Sequence, residues 1–200
     1  MNSYPTVLRI FFTALLIGIA LVSDLPPAVH AQSGTIRFET LSIEDGLSQG
    51  TVRAIVQDSD GFMWFGTDDG LNKYDGYTFT IYKHDPEDPS TLSNSAITAG
   101  FKDSRGNLWF GTNNGLNRFD RETETFERFL DGPSGLSISA IAEDPQGFLW
   151  IGASDGGLIR FDTRTGEFTR YRHDPDRPDS LINDMVLSLS FDPKGGLWVG

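Results

Sequence analysis

Two hundred residues with a formal net charge of −12, no cysteine and 38% hydrophobic residues describe an acidic chain with enough apolar material for a core. Without cysteine there is no disulfide, no lipid-modified cysteine and no thiolate metal site. The acidity disfavours nucleic acid as a partner, and the carboxylates fall among predicted turns, where they serve turn chemistry and solubility.

The first 31 residues are a different material. Arg9 precedes an apolar run from Ile10 to Val22, broken by Thr13 and Gly18, and Pro26, Pro27 and Val29-His30-Ala31 follow. The run is short for a membrane span and Val-x-Ala is a cleavage site, so residues 1–31 read as a signal peptide. An uncleaved anchor is the alternative, and either one exports the remainder. Ile36–Leu41 reads as a strand set ahead of the first repeat, placed to complete the last sheet of a ring.

From there the chain repeats. Trp64-Phe65-Gly66, Trp109-Phe110-Gly111, Trp150-Ile151-Gly152 and Trp198-Val199-Gly200 recur at intervals of 45, 41 and 48 residues. That period suits one small antiparallel sheet per copy. Six residues before each tryptophan stands an aspartate (Asp58, Asp103, Asp144, Asp192), and three before it a glycine (Gly61, Gly106, Gly147, Gly195). Asp, then Ser or Pro, then a variable residue, then Gly is the sequence of a type I turn, with the Asp side chain accepting a backbone N–H. A first strand with a small middle residue (Ala54, Ala99, Ala140, Ser188) therefore ends at each Asp, and a second begins after each Gly.

A hairpin follows each of the first three tryptophans, at Asp69-Gly70, Asn114-Gly115 and Asp155-Gly156-Gly157. Third strands run Leu71–Asp75, Leu116–Asp120 and Leu158–Asp162; fourth strands run Phe79–Tyr82, Phe126–Phe129 and Phe168–Tyr171. No helical period occurs after residue 35. The prediction is all-β: a β-propeller of four-stranded antiparallel blades over residues 36–200, with blades near 47–83, 92–130, 136–172 and 181–200. About three and a half blades are present, an incomplete ring that implies a segment of a longer protein.

The assembled repeat, with the lead-in Glu44–Val52 and the loops His84–Leu92 and His173–Leu181, resembles the two-component regulator propeller repeat. The resemblance covers residues 36 to 200. It implies the extracytoplasmic sensing portion of a membrane-anchored bacterial receptor, with a histidine kinase, often a hybrid, as output, and sometimes a diguanylate cyclase. It further implies an extracellular or periplasmic small-molecule or oligosaccharide ligand and association of receptor subunits as a homodimer.

Within these residues no catalytic, cofactor or metal site is expected, and the ligand-binding residues are unassigned. Indole faces suit sugars, but recurrence at one strand position assigns Trp64, Trp109, Trp150 and Trp198 to packing between blades. Binding residues should break the repeat, which nominates Arg53, Tyr77, Asn94 and Arg160. His30 leaves with the signal, and His84 and His173 read as solvated loop residues because two histidines fall short of a metal ligand set. Asp58-Ser59-Asp60-Gly61 has a calcium-loop flavour. However, an EF-type frame puts Thr67 where glutamate is required, and Asp60 becomes Arg105, Gln146 and Lys194 in later copies. A secreted carbohydrate-active propeller is the competing enzymatic reading, although no carboxylate stands apart from the turn pattern.

Overall fold

The computed structural model describes residues 37–131 and 135–200. The signal-peptide reading of residues 1–31 lies outside them. Among the described residues the regular structure is β, apart from one 3-10 turn at Ile43–Asp45 capped by Ser42. The first sheet comprises β1 (Val52–Gln57), β2 (Met63–Thr67), β3 (Gly70–Tyr74) and β4 (Phe79–Tyr82). The second comprises β5 (Ile97–Lys102), β6 (Leu108–Thr112), β7 (Gly115–Asp120) and β8 (Thr125–Phe129). The third comprises β9 (Ile138–Glu143), β10 (Leu149–Ala153), β11 (Gly157–Phe161) and β12 (Phe168–Tyr171), and β13 (Leu189–Phe191) with β14 (Leu197–Val199) makes a two-stranded fourth. Every sheet is antiparallel with its strands in chain order, the meander of a propeller blade. Residues 37–41, where a strand is expected, are coil; a strand persists only against a partner, and these residues belong to no sheet here.

The first strands β1, β5, β9 and β13 lie side by side, so each blade packs face to face on the next. Trp64 is buried, and its ring lies 4.7 Å from Phe119 and 5.7 Å from Phe110, both in the second blade. Trp109 repeats this one blade later against Phe161 at 5.9 Å. The two hydrophobic clusters therefore straddle blade boundaries: one joins Trp64 and Leu71 to Ile97, Phe110 and Phe126, and the other joins Trp109 and Leu116 to Ile138, Ile151 and Phe161. Trp150, which stacks on Tyr171 of its own blade at 5.7 Å, is half-buried, and Trp198 is 68% exposed.

The glycine two residues after each of the first three tryptophans has its cause in the following blade. A Cβ placed on Gly66 would lie 2.5 Å from Ile97 Cγ2, one on Gly111 2.5 Å from Ile138 Cγ2, and one on Gly152 2.7 Å from Val186 Cγ1. The leading residue of each blade thus sits directly over bare backbone of its predecessor, well inside the ~3.5–4.0 Å at which carbon atoms rest. The simple alternation expected along the first strands is interrupted. Arg53 and Thr98 are bulge residues between Val52 and Ala54 and between Ile97 and Ala99, and a register shift recurs in the third blade.

Candidate functional site

All four predicted turns form, and their aspartates do more than close them. In each turn Asp Oδ1 accepts two backbone N–H groups: those of Asp60 and Phe62, Arg105 and Asn107, Gln146 and Phe148, and Lys194 and Gly196. The second oxygen accepts the indole N–H of the tryptophan six residues on, at 2.9 Å for Asp58–Trp64 and Asp103–Trp109, 3.0 Å for Asp144–Trp150 and 3.2 Å for Asp192–Trp198. A buried indole needs an acceptor, and the carboxylate supplies one while fixing the turn. Gly61, Gly106, Gly147 and Gly195 have φ of 93°, 87°, 83° and 86°, the left-handed region in which a side chain is strained. In each copy the aspartate, glycine and tryptophan thus form one hydrogen-bonded turn unit. With both oxygens of the repeat aspartates so occupied, the turn at Asp58–Gly61 has the shape of a hydrogen-bonded cap.

A second polar unit was not legible from motif reading. Asn72 is fully buried between strands; its Nδ2 donates to Ser48 Oγ at 2.9 Å and Phe65 O at 3.1 Å, and its Oδ1 accepts Ser48 N at 2.8 Å. Ser48 Oγ lies 2.9 Å from Thr67 Oγ1, which donates to Gly70 O. Ser93, Thr112 and Asn117 repeat the relay in the second blade. In the third blade Thr and Asn are replaced together by buried Ala153 and Ile159. That joint exchange was the available signal, because a buried amide is tolerated only when its partners come with it.

The four residues nominated for binding are not brought together. Arg53 pairs through its guanidinium with Asp68 at the β2–β3 hairpin of its own blade, and this contact lowers the Asp68 carboxyl pKa through the hydrogen bond first. Asn94 closes a local turn by accepting Ala96 N at 2.8 Å, as Asn183 does for Met185 N. Arg160 covers the Phe148 ring at 3.6 Å, the place that Lys73 takes over Phe62 at 4.7 Å, so Arg160 follows the repeat and does not break it. Tyr77 projects from the β3–β4 turn and is 91% exposed.

His84 and His173 have one role. Nδ1 of each ring hydrogen-bonds a backbone carbonyl eight residues on, Leu92 O at 2.6 Å and Leu181 O at 2.7 Å, which pins the base of an Asp-Pro loop. Arg128 braces the first of these loops from β8, donating to Thr91 O at 2.7 Å and Asp88 O at 2.8 Å. No group of three or more His, Asp or Glu side chains able to hold a metal ion occurs among the described residues. The Tyr82 hydroxyl is the one buried side-chain polar atom there without a partner: its ring packs among Trp64, Phe119 and Phe126, and burial, then Glu124, pushes its pKa up to about 12. No described helix is long and apolar enough to cross a membrane.

The family described as "Two component regulator propeller" matches residues 46–69, 91–114 and 132–155. Each match runs from the lead-in loop through the Asp turn and tryptophan to the hairpin tip. Three of the chain's repeats are thus similar to two-component regulator propeller repeats. Histidine kinase P4 of Formosa agariphila is 45% identical over 75 residues, a stretch that is 38% of this chain and 6% of that protein. The solved extracellular domain of a protein described as a hybrid two-component system of B. thetaiotaomicron superposes with a TM-score of 0.70 at 27% identity, covering 81% of this chain and 23% of that one. Virginiamycin B lyase of Staphylococcus aureus shares the fold alone, at 14% identity and a TM-score of 0.56, with 74% of this chain and 48% of the lyase covered. An enzyme and an extracellular domain of a two-component system thus share this architecture, so the blade geometry by itself assigns no chemistry.

Proposed function

We propose that this chain is the ligand-sensing propeller segment of a membrane-bound two-component receptor, exported behind a signal peptide over residues 1–31 and coupled to a histidine kinase. The observation that carries this reading is the threefold family match together with 45% identity to a histidine kinase across 75 residues. The blades are built as a rigid scaffold: turn aspartates, indoles and glycines are spent on packing, which leaves loops and hairpin tips to differ between copies. Recognition then falls to those loops, with an oligosaccharide or other small molecule as ligand. Output follows when ligand favours one arrangement of paired receptor subunits over another. In the same reading residues 36–41 supply an outer strand to the blade that closes the ring.

The test uses the full-length receptor in lipid vesicles, with autophosphorylation of the kinase read while an oligosaccharide panel is applied on the propeller side. A saccharide that changes kinase output and raises the melting temperature of the propeller region supports the reading. Kinase output indifferent to every saccharide, with no binding to the propeller, defeats ligand sensing. N-terminal sequencing of exported protein should begin at Gln32.

A further inference from the structure

Each boundary between neighbouring blades carries the same backbone tie. Gly70 N donates to Ser95 O at 2.7 Å across the first seam, Gly115 N to Leu136 O at 2.8 Å across the second, and Gly157 N to Asp184 O at 2.8 Å across the third. The second and third seams carry one further device. The bulge hydroxyl of Thr98 donates to Ile138 O, and that of Ser139 donates to Val186 O, so a side chain of one blade latches the leading strand of the next. At the first seam this position is Arg53, whose guanidinium turns back to Asp68 of its own blade. No side chain among the described residues donates to Ile97 O, the carbonyl a latch there would hold.

The opposite rim differs in the same direction. The first seam is bridged by ion pairs: Arg121 with Asp60, and Lys73 Nζ with Glu124 at 3.4 Å. Both acids are more than half exposed, so salt weakens both pairs. The second seam is bridged by hydrogen bonds in which only one partner is charged: Ser104 N and Oγ to Glu143 at 2.7 and 2.8 Å, and Arg105 to the Thr163 hydroxyl at 3.3 Å. We infer that the seam between the first and second blades is a built-in compliant joint, unlatched at Arg53 and closed by salt-screened pairs, while the next two seams are locked. Strain arriving from a ligand or a neighbouring subunit then opens the Trp64 side of the second blade before it opens the Trp109 side of the third.

Gly70 and Gly115 are equivalent seam amides and report the two boundaries separately in native-state hydrogen exchange of the intact chain. Gly70 should exchange about fivefold faster than Gly115, the loss expected for one missing hydrogen bond. Raising NaCl from about 20 mM to about 500 mM should widen the gap by roughly another two- to threefold, because among the described residues ion pairs cross the first of these two seams and not the second. Arg53→Thr installs the absent hydroxyl and should slow Gly70 without touching Gly115; Thr98→Ala should speed Gly115 and leave Gly70 unchanged. Equal rates at the two glycines with equal salt response overturn the inference, as does an Arg53→Thr chain in which Gly70 does not slow. If that variant does not fold, the unmodified chain at two salt concentrations decides alone.

Discussion

Gly111→Ala tests the central packing claim with a single methyl group. The added Cβ would lie 2.5 Å from Cγ2 and 2.7 Å from Cβ of Ile138, and 3.2 Å from Cβ of Ala99. Resting carbon contacts need roughly 3.5–4.0 Å, so the overlap with Ile138 is about an ångström. Rotating the Ile138 side chain cannot relieve it, since its Cβ is placed by the backbone of β9. The third blade must therefore retreat, and it takes with it contacts of a fully buried cluster containing Trp109, Leu149 and Ile151. Overpacking of this kind costs about 1–3 kcal/mol, and the packing lost on retreat adds about 1 kcal/mol or more. For a chain of this size about 3 kcal/mol lowers the melting temperature by roughly 6–12 °C. Thermal unfolding followed by near-ultraviolet circular dichroism reads both the midpoint and the tryptophan environment. Gly50→Ala is the control: nothing lies within 4 Å of that site and its φ is outside the left-handed region, so its midpoint should hardly move. A Gly111→Ala midpoint indistinguishable from that of Gly50→Ala would remove close blade approach as the reason for the glycine.

Tyr82→Phe should leave stability unchanged or raise it by about 1 kcal/mol, because it deletes a buried hydroxyl without a partner at the position where the second blade has Phe129; urea unfolding measures it, and a clear loss refutes the assignment. The raised Tyr82 pKa also makes stability fall as pH rises from about 10 through about 12, since the unfolded state releases that proton first, and the variant should lack this alkaline loss. Asp103→Ala strips the acceptor from buried Trp109 and from two backbone amides and should cost about 3 kcal/mol, whereas Asp192→Ala, beside exposed Trp198, should cost far less; equal costs would show that burial adds nothing to the indole bond. At the acid end Asp75, Asp120 and Asp192 are depressed by backbone hydrogen bonds, and Asp162 falls to about 2 chiefly through its hydrogen bond from Arg164. Because the unfolded chain binds protons first, their stabilisation is complete above about pH 4 and declines from there toward pH 2; melting temperatures that do not change over that interval contradict it.

What the sequence reveals of this fold is whatever has a local cause. A glycine with positive φ, an aspartate over its own turn and Asn-Gly at a hairpin are legible because each acts within four residues. The other half of the Asp–Trp bond is six residues away and becomes visible only once the turn has folded the second strand back. The Trp-x-Gly glycine was legible as a motif but not as a necessity, since the atom that excludes a side chain at Gly111 belongs to Ile138 in another blade. Arg160 is a case of the same kind: it departs from Lys73 in identity but repeats its placement over an aromatic ring, and ring placement is not written in the local sequence.

Departures from the repeat therefore need sorting by whether their neighbours depart with them. Arg53 and Asp68 differ together from Thr98 and Asn113 of the next blade, and Lys83, 2.7 Å from Asp69, differs together with it from Leu130 and Asn114. Thr67 and Asn72 likewise give way as a set to Ala153 and Ile159. Each exchange keeps charge and hydrogen bonding closed inside one blade, which is the mark of a folding constraint re-solved with different residues. A residue selected for contact with something outside the chain has no reason to bring an internal partner. By that criterion Arg53, Asn94 and Arg160 leave the set of recognition candidates, because each is matched within the fold. Tyr77, 91% exposed on a turn whose aspartate caps the backbone amides of Tyr77 and Thr78 without engaging the Tyr77 ring, is the nominated residue that stays.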